Sequence, residues 1–92
     1  MFDVVVAPTA VRQLRRLRRS DGVRILDAIE SHLRYEPERP TRTTIKRLRG
    51  RQAATYRLRV GDHRVFYDVE GTTVTIIAVL HKRETETFYR KE

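Results

Sequence analysis

The sequence predicts an α+β fold, a four-stranded, mainly antiparallel sheet with two N-terminal helices packed on one face. Three observations carry that expectation. A short β-branched run, Phe2-Asp3-Val4-Val5-Val6, opens the chain. Apolar residues then recur at helical spacing as far as Leu33. Three strand-like stretches separated by glycine turns fill the second half, at 55–60, 63–69 and 73–80. The order is β-α-α-β-β-β. At 92 residues, with no internal repeat and no linker-like tract, the chain reads as a single domain over 1–92 with one modest core.

Each element has a local reason. Pro8 suits the first turn of a helix, because its missing N–H has no intrahelical partner there in any case. Val11, Leu14 and Leu17 then form a narrow apolar stripe among Arg12, Arg15, Arg16, Arg18 and Arg19. Ser20-Asp21-Gly22 is expected to break the helix, with Ser20 or Asp21 capping the next. Val23, Leu26, Ile29 and Leu33 give a second stripe, so two antiparallel helices are expected. Pro37 and Pro40 end the helical region, 36–44 reads as a loop, and 45–50 as a basic segment closed by glycine.

Register can be read outward from the turn at Gly61-Asp62. A two-residue loop sets Val60 opposite His63, Arg59 opposite Arg64, Leu58 opposite Val65, Arg57 opposite Phe66 and Tyr56 opposite Tyr67. Paired residues share a face, so Arg57, Arg59 and Arg64 lie together while Tyr56, Leu58, Val60, Val65 and Tyr67 turn toward the helices. A second tight turn at Glu70-Gly71 pairs Arg64 with Ile77 and Val65 with Ile76. It places Val74, Ile76, Ala78 and Leu80 in the core, and Thr75, Ile77, Val79 and His81 on the arginine face.

Charge bounds the partners. Twenty basic residues, seventeen of them arginine, stand against twelve acidic ones, a net charge of +8. Arginine's planar fork matches phosphate oxygens two at a time, so nucleic acid or an acidic protein is the expected partner. There is no cysteine, which excludes disulfides and thiolate metal sites and fits a reducing cytoplasm. The histidines at 32, 63 and 81 lack metal-ligand spacing, so neither a metal nor another cofactor is expected. No apolar run approaches a membrane span or a signal peptide.

The stretches KRLRG at 46–50, YRLRVGDHRVFYDV at 56–69 and HKRETETFY at 81–89 resemble the RelE/ParE superfamily of bacterial toxins, over essentially the whole chain. The resemblance is closer to the RelE branch of ribosome-dependent mRNA endonucleases, through Arg57, Arg59, Arg64 and Arg83 with the hydroxyl of Tyr89. It implies a RelE-like fold and cleavage of mRNA in the ribosomal A site. It also implies an acidic, RelB-like antitoxin as partner alongside the ribosome and mRNA. RelE itself has lysines at the positions of Arg57 and Arg59. Lysine can act as a base once its pKa is depressed and arginine cannot, so that role does not transfer.

Metal-free RNA cleavage needs a base for the 2′-OH, stabilisation of the phosphorane and an acid for the leaving 5′-oxygen. Arg57, Arg59, Arg64 and Arg83 suit the second task. Tyr89 is expected to stack on a base or donate near the phosphate. His81 is the candidate acid or base, because imidazole exchanges protons near neutrality. Glu84 and Glu86 fit ion pairs with arginine better than catalysis. Lys46, Arg47, Arg49 and Lys82 are expected to hold RNA phosphates. Two other readings fit the same residues: a ParE-like inhibitor of DNA gyrase without catalytic activity, and an inactive basic module that binds RNA or an antitoxin.

Overall fold

The computed structural model describes residues 1–49 and 54–85. Its elements are β1 (Asp3–Val6), α1 (Pro8–Arg15), α2 (Arg19–Ala28) running into a π-helical turn (Ile29–Leu33), β2 (Ile45–Arg47), β3 (Tyr56–Val60), β4 (His63–Glu70), β5 (Thr73–His81) and a 3-10 turn (Lys82–Glu84). The strands form one sheet in the order β1-β5-β4-β3-β2. β1 lies parallel to β5 and the other pairings are antiparallel.

The α+β class and the helices on one face are as expected, but the sheet has five strands where four were expected. The fifth is β2, which the sequence presents only as a basic segment. It pairs with β3 at the sheet edge through Ile45↔Leu58, Lys46↔Arg57 and Arg47↔Tyr56. A three-residue strand with one apolar position carries almost no periodic signal, so its neighbour decides it.

The helices depart from the expected boundaries. α1 ends at Arg15 and α2 begins at Arg19, so the reversal falls at 16–18 and Ser20-Asp21-Gly22 lie inside the first turn of α2. Neither helix start carries a side-chain cap. Asp21 is stabilised there by the helix dipole, and Gly22 N–H donates to the Arg18 carbonyl at 3.0 Å. The buried stripe is Ile25, Ile29 and Leu33, whereas Val23 and Leu26 are 50% and 48% exposed. Three- and four-residue steps define overlapping stripes in one sequence, and contact with the sheet selects between them. With Ala10, these residues pack on Tyr56, Leu58, Val60, Val65, Tyr67, Val74, Ile76 and Val79. Burying one such aliphatic or aromatic side chain contributes about 1.5–3 kcal/mol. Tyr56 and Tyr67 stack at 5.4 Å, and the Tyr67 hydroxyl donates to the Pro37 carbonyl at 2.6 Å, tying the 36–44 loop to the core.

The β3–β4 hairpin has the expected register at all five pairs. The β4–β5 hairpin does not. Its turn is centred on Gly71-Thr72, with Glu70 opposite Thr73, and a bulge interrupts the ladder at Phe66/Tyr67. Gly61 and Gly71 have φ of 57° and 62°, while no non-glycine residue has positive φ. Glycine alone in the left-handed region, at the first central position, is the II′ arrangement, and it explains why the second turn begins at Gly71. Beyond the bulge the strand's faces exchange. Val65 pairs with Val79, Phe66 with Ala78, Arg64 with Leu80 and His63 with His81. Val79 and His81 therefore lie on the helix side, and Ala78 and Leu80 on the arginine side. Gln13 of α1 accepts the Val79 N–H at 2.7 Å, satisfying β5 past the end of its pairing with β1.

Candidate nucleic-acid interface

On the face away from the helices, adjacent strands align Lys46, Arg57, Phe66 and Ala78 in one row and Arg59, Arg64 and Leu80 in the next. The face has an apolar floor, formed by buried Ala54, Phe66 and Ala78 with Leu48, Ile77 and Leu80 against them. Cations rise from that floor and from its border. Arg59 is exposed, Arg57 is half-buried with its Nε inside, and Lys46 is exposed at the edge. Arg64 is half-buried, and its Nη1 donates to the carbonyls of Gly61 at 3.0 Å and His63 at 2.9 Å. The guanidinium is thus held against its own turn. Asp68, on the same face, accepts the Thr55 N–H at 2.7 Å and fixes the entry to β3.

The expected RNA-binding residues divide. Arg47 belongs to the opposite face, where its guanidinium lies 5.7 Å from the Tyr56 ring centroid and donates to the Tyr56 hydroxyl at 3.3 Å. Lys46, Arg47 and Arg49 nonetheless line one groove of about 530 Å³ at the β2 edge, with Pro40, Thr41 and Ile45. Lys82 is elsewhere. Its Nζ lies 3.5 Å from Asp62 Oδ1 and its N–H donates to the Asp62 carbonyl at 2.7 Å, tying the 3-10 turn to the β3–β4 hairpin.

His81 does not join Arg57, Arg59 and Arg64, because the bulge turns it to the helix side. There its ring meets His63 edge to face, with centroids 5.5 Å apart. His81 Nδ1 accepts the Arg83 N–H at 3.2 Å while Glu84 Oε1 accepts the His81 N–H at 2.8 Å, a reciprocal cap on the 3-10 turn. Glu84 is therefore a capping residue. His81 and Arg83 line a groove of about 350 Å³ with His63, Asp62 and, from α2 and its approach, Arg18, Asp21 and Arg24. Arg18, Arg24 and His63 were not singled out as site residues from the sequence, since only the packing of α2 over the hairpin brings them to this end of the sheet. Tyr89 and Glu86 lie outside the described residues.

A sheet with two helices packed on one face is the fold the resemblance implied, and comparison with known proteins agrees with that fold. The model of the ParE toxin of the type II toxin–antitoxin system, parDE, matches residues 4–86. The chain belongs to the RelE/ParE superfamily of toxins. Among solved structures it is similar to the toxin–antitoxin complex RelBE2 from Mycobacterium tuberculosis, at 30% identity and TM-score 0.76 over 87% of this chain and 96% of that one. The archaeal RelE–RelB complex from Pyrococcus horikoshii matches at 27% identity and TM-score 0.71, covering 88% and 94%. The RelB–RelE complex from Methanococcus jannaschii matches at 26% identity and TM-score 0.68, covering 92% and 98%. No curated protein matches the chain. Among superfamily members the solved neighbours are RelE complexes, which places the chain near that branch. Among the described residues no helix is long and apolar enough to cross a membrane.

Proposed function

We propose that this chain is an mRNA endonuclease toxin that cuts in the ribosomal A site and is held inactive in the cytoplasm by an acidic antitoxin. The observation that supports it best is the alignment of Arg57, Arg59 and Arg64 on adjacent strands of one face. The 2′-oxygen attacks phosphorus as its proton passes to a base, the P–O5′ bond breaks, and the departing 5′-oxygen takes a proton from water, leaving a 2′,3′-cyclic phosphate and a 5′-hydroxyl. Arg57, Arg59 and Arg64 stabilise the charge that develops on the phosphorane, while Arg83, which lines the groove with His63 and His81, holds the strand beside that face. Tyr89 stacks on or donates to the strand. Lys46, Arg47, Arg49 and Lys82 hold flanking phosphates, which position without reading sequence. Because guanidinium does not act as a base and His81 lies on the helix side of the sheet, the 2′-OH proton passes to the ribosome or to solvent. RelB-type antitoxins accompany the solved neighbours, and the net charge of +8 suits an acidic partner of that kind.

Mapping mRNA ends after induction in a bacterium tests the reading. New cuts inside translated codons are expected, and their absence during growth arrest overturns it. One observation favours a second reading: the family model that matches is that of ParE, which suits a non-catalytic gyrase inhibitor. Purified gyrase supercoils normally in the presence of an endonuclease and stalls in the presence of an inhibitor.

A further inference from the structure

The groove between α2 and the β3–β4 hairpin is a second concentration of cations, away from the arginine face. Arg18 and Arg24 reach it from the N-cap and body of α2 and Arg83 from the 3-10 turn, joined by the imidazoles of His63 and His81. Arg24 lies directly over the turn, with its Nη1 3.3 Å from where a Cβ on Gly61 would stand. Asp21 and Asp62 also line the groove, but the Lys82 ammonium stands 3.5 Å from Asp62. Guanidinium offers donors and no acceptor, so guanidiniums gathered this way call for an anion. His81 adds a donor. Its Nδ1 accepts the Arg83 N–H, so the neutral ring carries its proton on Nε2.

A smaller cavity of about 170 Å³ shares both histidines and is walled by Leu17, Val79 and Leu80 with Gln13, Arg16 and Glu84, whose carboxylate is engaged by the His81 N–H. A polar basin for an anion therefore adjoins a partly apolar one through a pair of imidazole rings. A carboxylate side chain would fill the first and leave the second empty. A nucleotide fills both, its phosphate among the arginines and its sugar or base against Leu17 and Val79.

We propose that this double groove is a second polynucleotide site, which takes one backbone phosphate and the adjoining nucleoside of a single strand as it leaves the arginine face. The proposal rests on the reading of the protein as an RNA-acting toxin. Its test is a short RNA with 2′-O-methyl groups throughout, which no 2′-OH mechanism can cleave, titrated into the full chain while the three histidine ring signals are followed by NMR. The His63 and His81 signals are expected to move while His32, exposed on the π-helical turn, stays still. Arg18→Gln with Arg24→Gln is expected to weaken the strand about tenfold, the effect of losing charge-assisted hydrogen bonds. Arg18→Gln alone leaves Arg24 on the turn and is expected to give a smaller loss. Stationary His63 and His81 signals, or undiminished affinity in both variants, overturn the site. So does an oligoglutamate peptide that moves the same signals at lower concentration than the RNA, since the groove then belongs to an acidic protein. Because the strand cannot be cut, binding here without mRNA cleavage in cells sinks the endonuclease reading and leaves the site standing.

Discussion

Arg59 sits directly opposite Arg64 across the β3–β4 hairpin, on a face with Arg57 beside them. Like charges in direct cross-strand register oppose folding by several tenths of a kcal/mol, so the pair is a cost that the fold carries. Arg59→Thr is expected to raise stability to urea by about 0.3–0.5 kcal/mol, the relief of that repulsion. Arg64→Ala also forfeits two bonds to the turn carbonyls, so its stability should stay unchanged or fall by up to about 1 kcal/mol. Both variants are expected to lose growth arrest. A fully toxic Arg64→Ala removes that residue from the chemistry.

Tyr67 makes the core sensitive to alkali. Burial, followed by the neighbouring Tyr56 and Glu38, pushes its phenol well above the ordinary value of 10.0. The unfolded chain releases this proton at lower pH than the folded one, so the stability from neutral Tyr67 is complete below pH 10 and declines as pH rises beyond it. The urea midpoint should fall steeply above that pH in the wild type. In Tyr67→Phe the alkaline slope should flatten, while stability at pH 7 drops by about 1–1.5 kcal/mol for the lost bond to Pro37. An unchanged slope in the variant means that another group drives the alkaline loss.

The glycines should respond with opposite signs. Gly71 has φ 62° with open space around it, so Gly71→Ala is expected to cost about 1–2 kcal/mol from backbone conformation alone. Gly61→Ala adds the contact with Arg24 and should cost at least as much. Gly22 lies within α2 with nothing near its missing Cβ, so Gly22→Ala should stabilise by about 0.5–1 kcal/mol. Thermal melts of the three variants rank these effects directly.

Gln13 is expected to be a structural residue. Its side chain is the acceptor for the Val79 N–H beyond the bulge, so Gln13→Ala should cost about 1 kcal/mol, and Gln13→Glu, which keeps the acceptor, much less. Hydrogen exchange at Val79 is the measurement, and it should accelerate in Gln13→Ala alone.

The sequence by itself determined the fold class, the order of the main elements and the complete β3–β4 register. Alternation with period two runs through β3, and Gly61 marks the turn into β4. It therefore also determined that Arg57, Arg59 and Arg64 share a face. Tertiary structure alone decided the rest. One bulge reversed the faces of 78–81 and carried His81 from the arginine face to the helix side, because a single extra residue leaves no mark on an apolar strand such as Val-Thr-Ile-Ile-Ala-Val-Leu. The third dimension also made a strand of Ile45–Arg47, selected Ile25 over Val23 and Leu26 for the core, and brought Arg18 and Arg24 to His63 and Arg83. Those outcomes depend on which surfaces meet, and local spacing is silent on that.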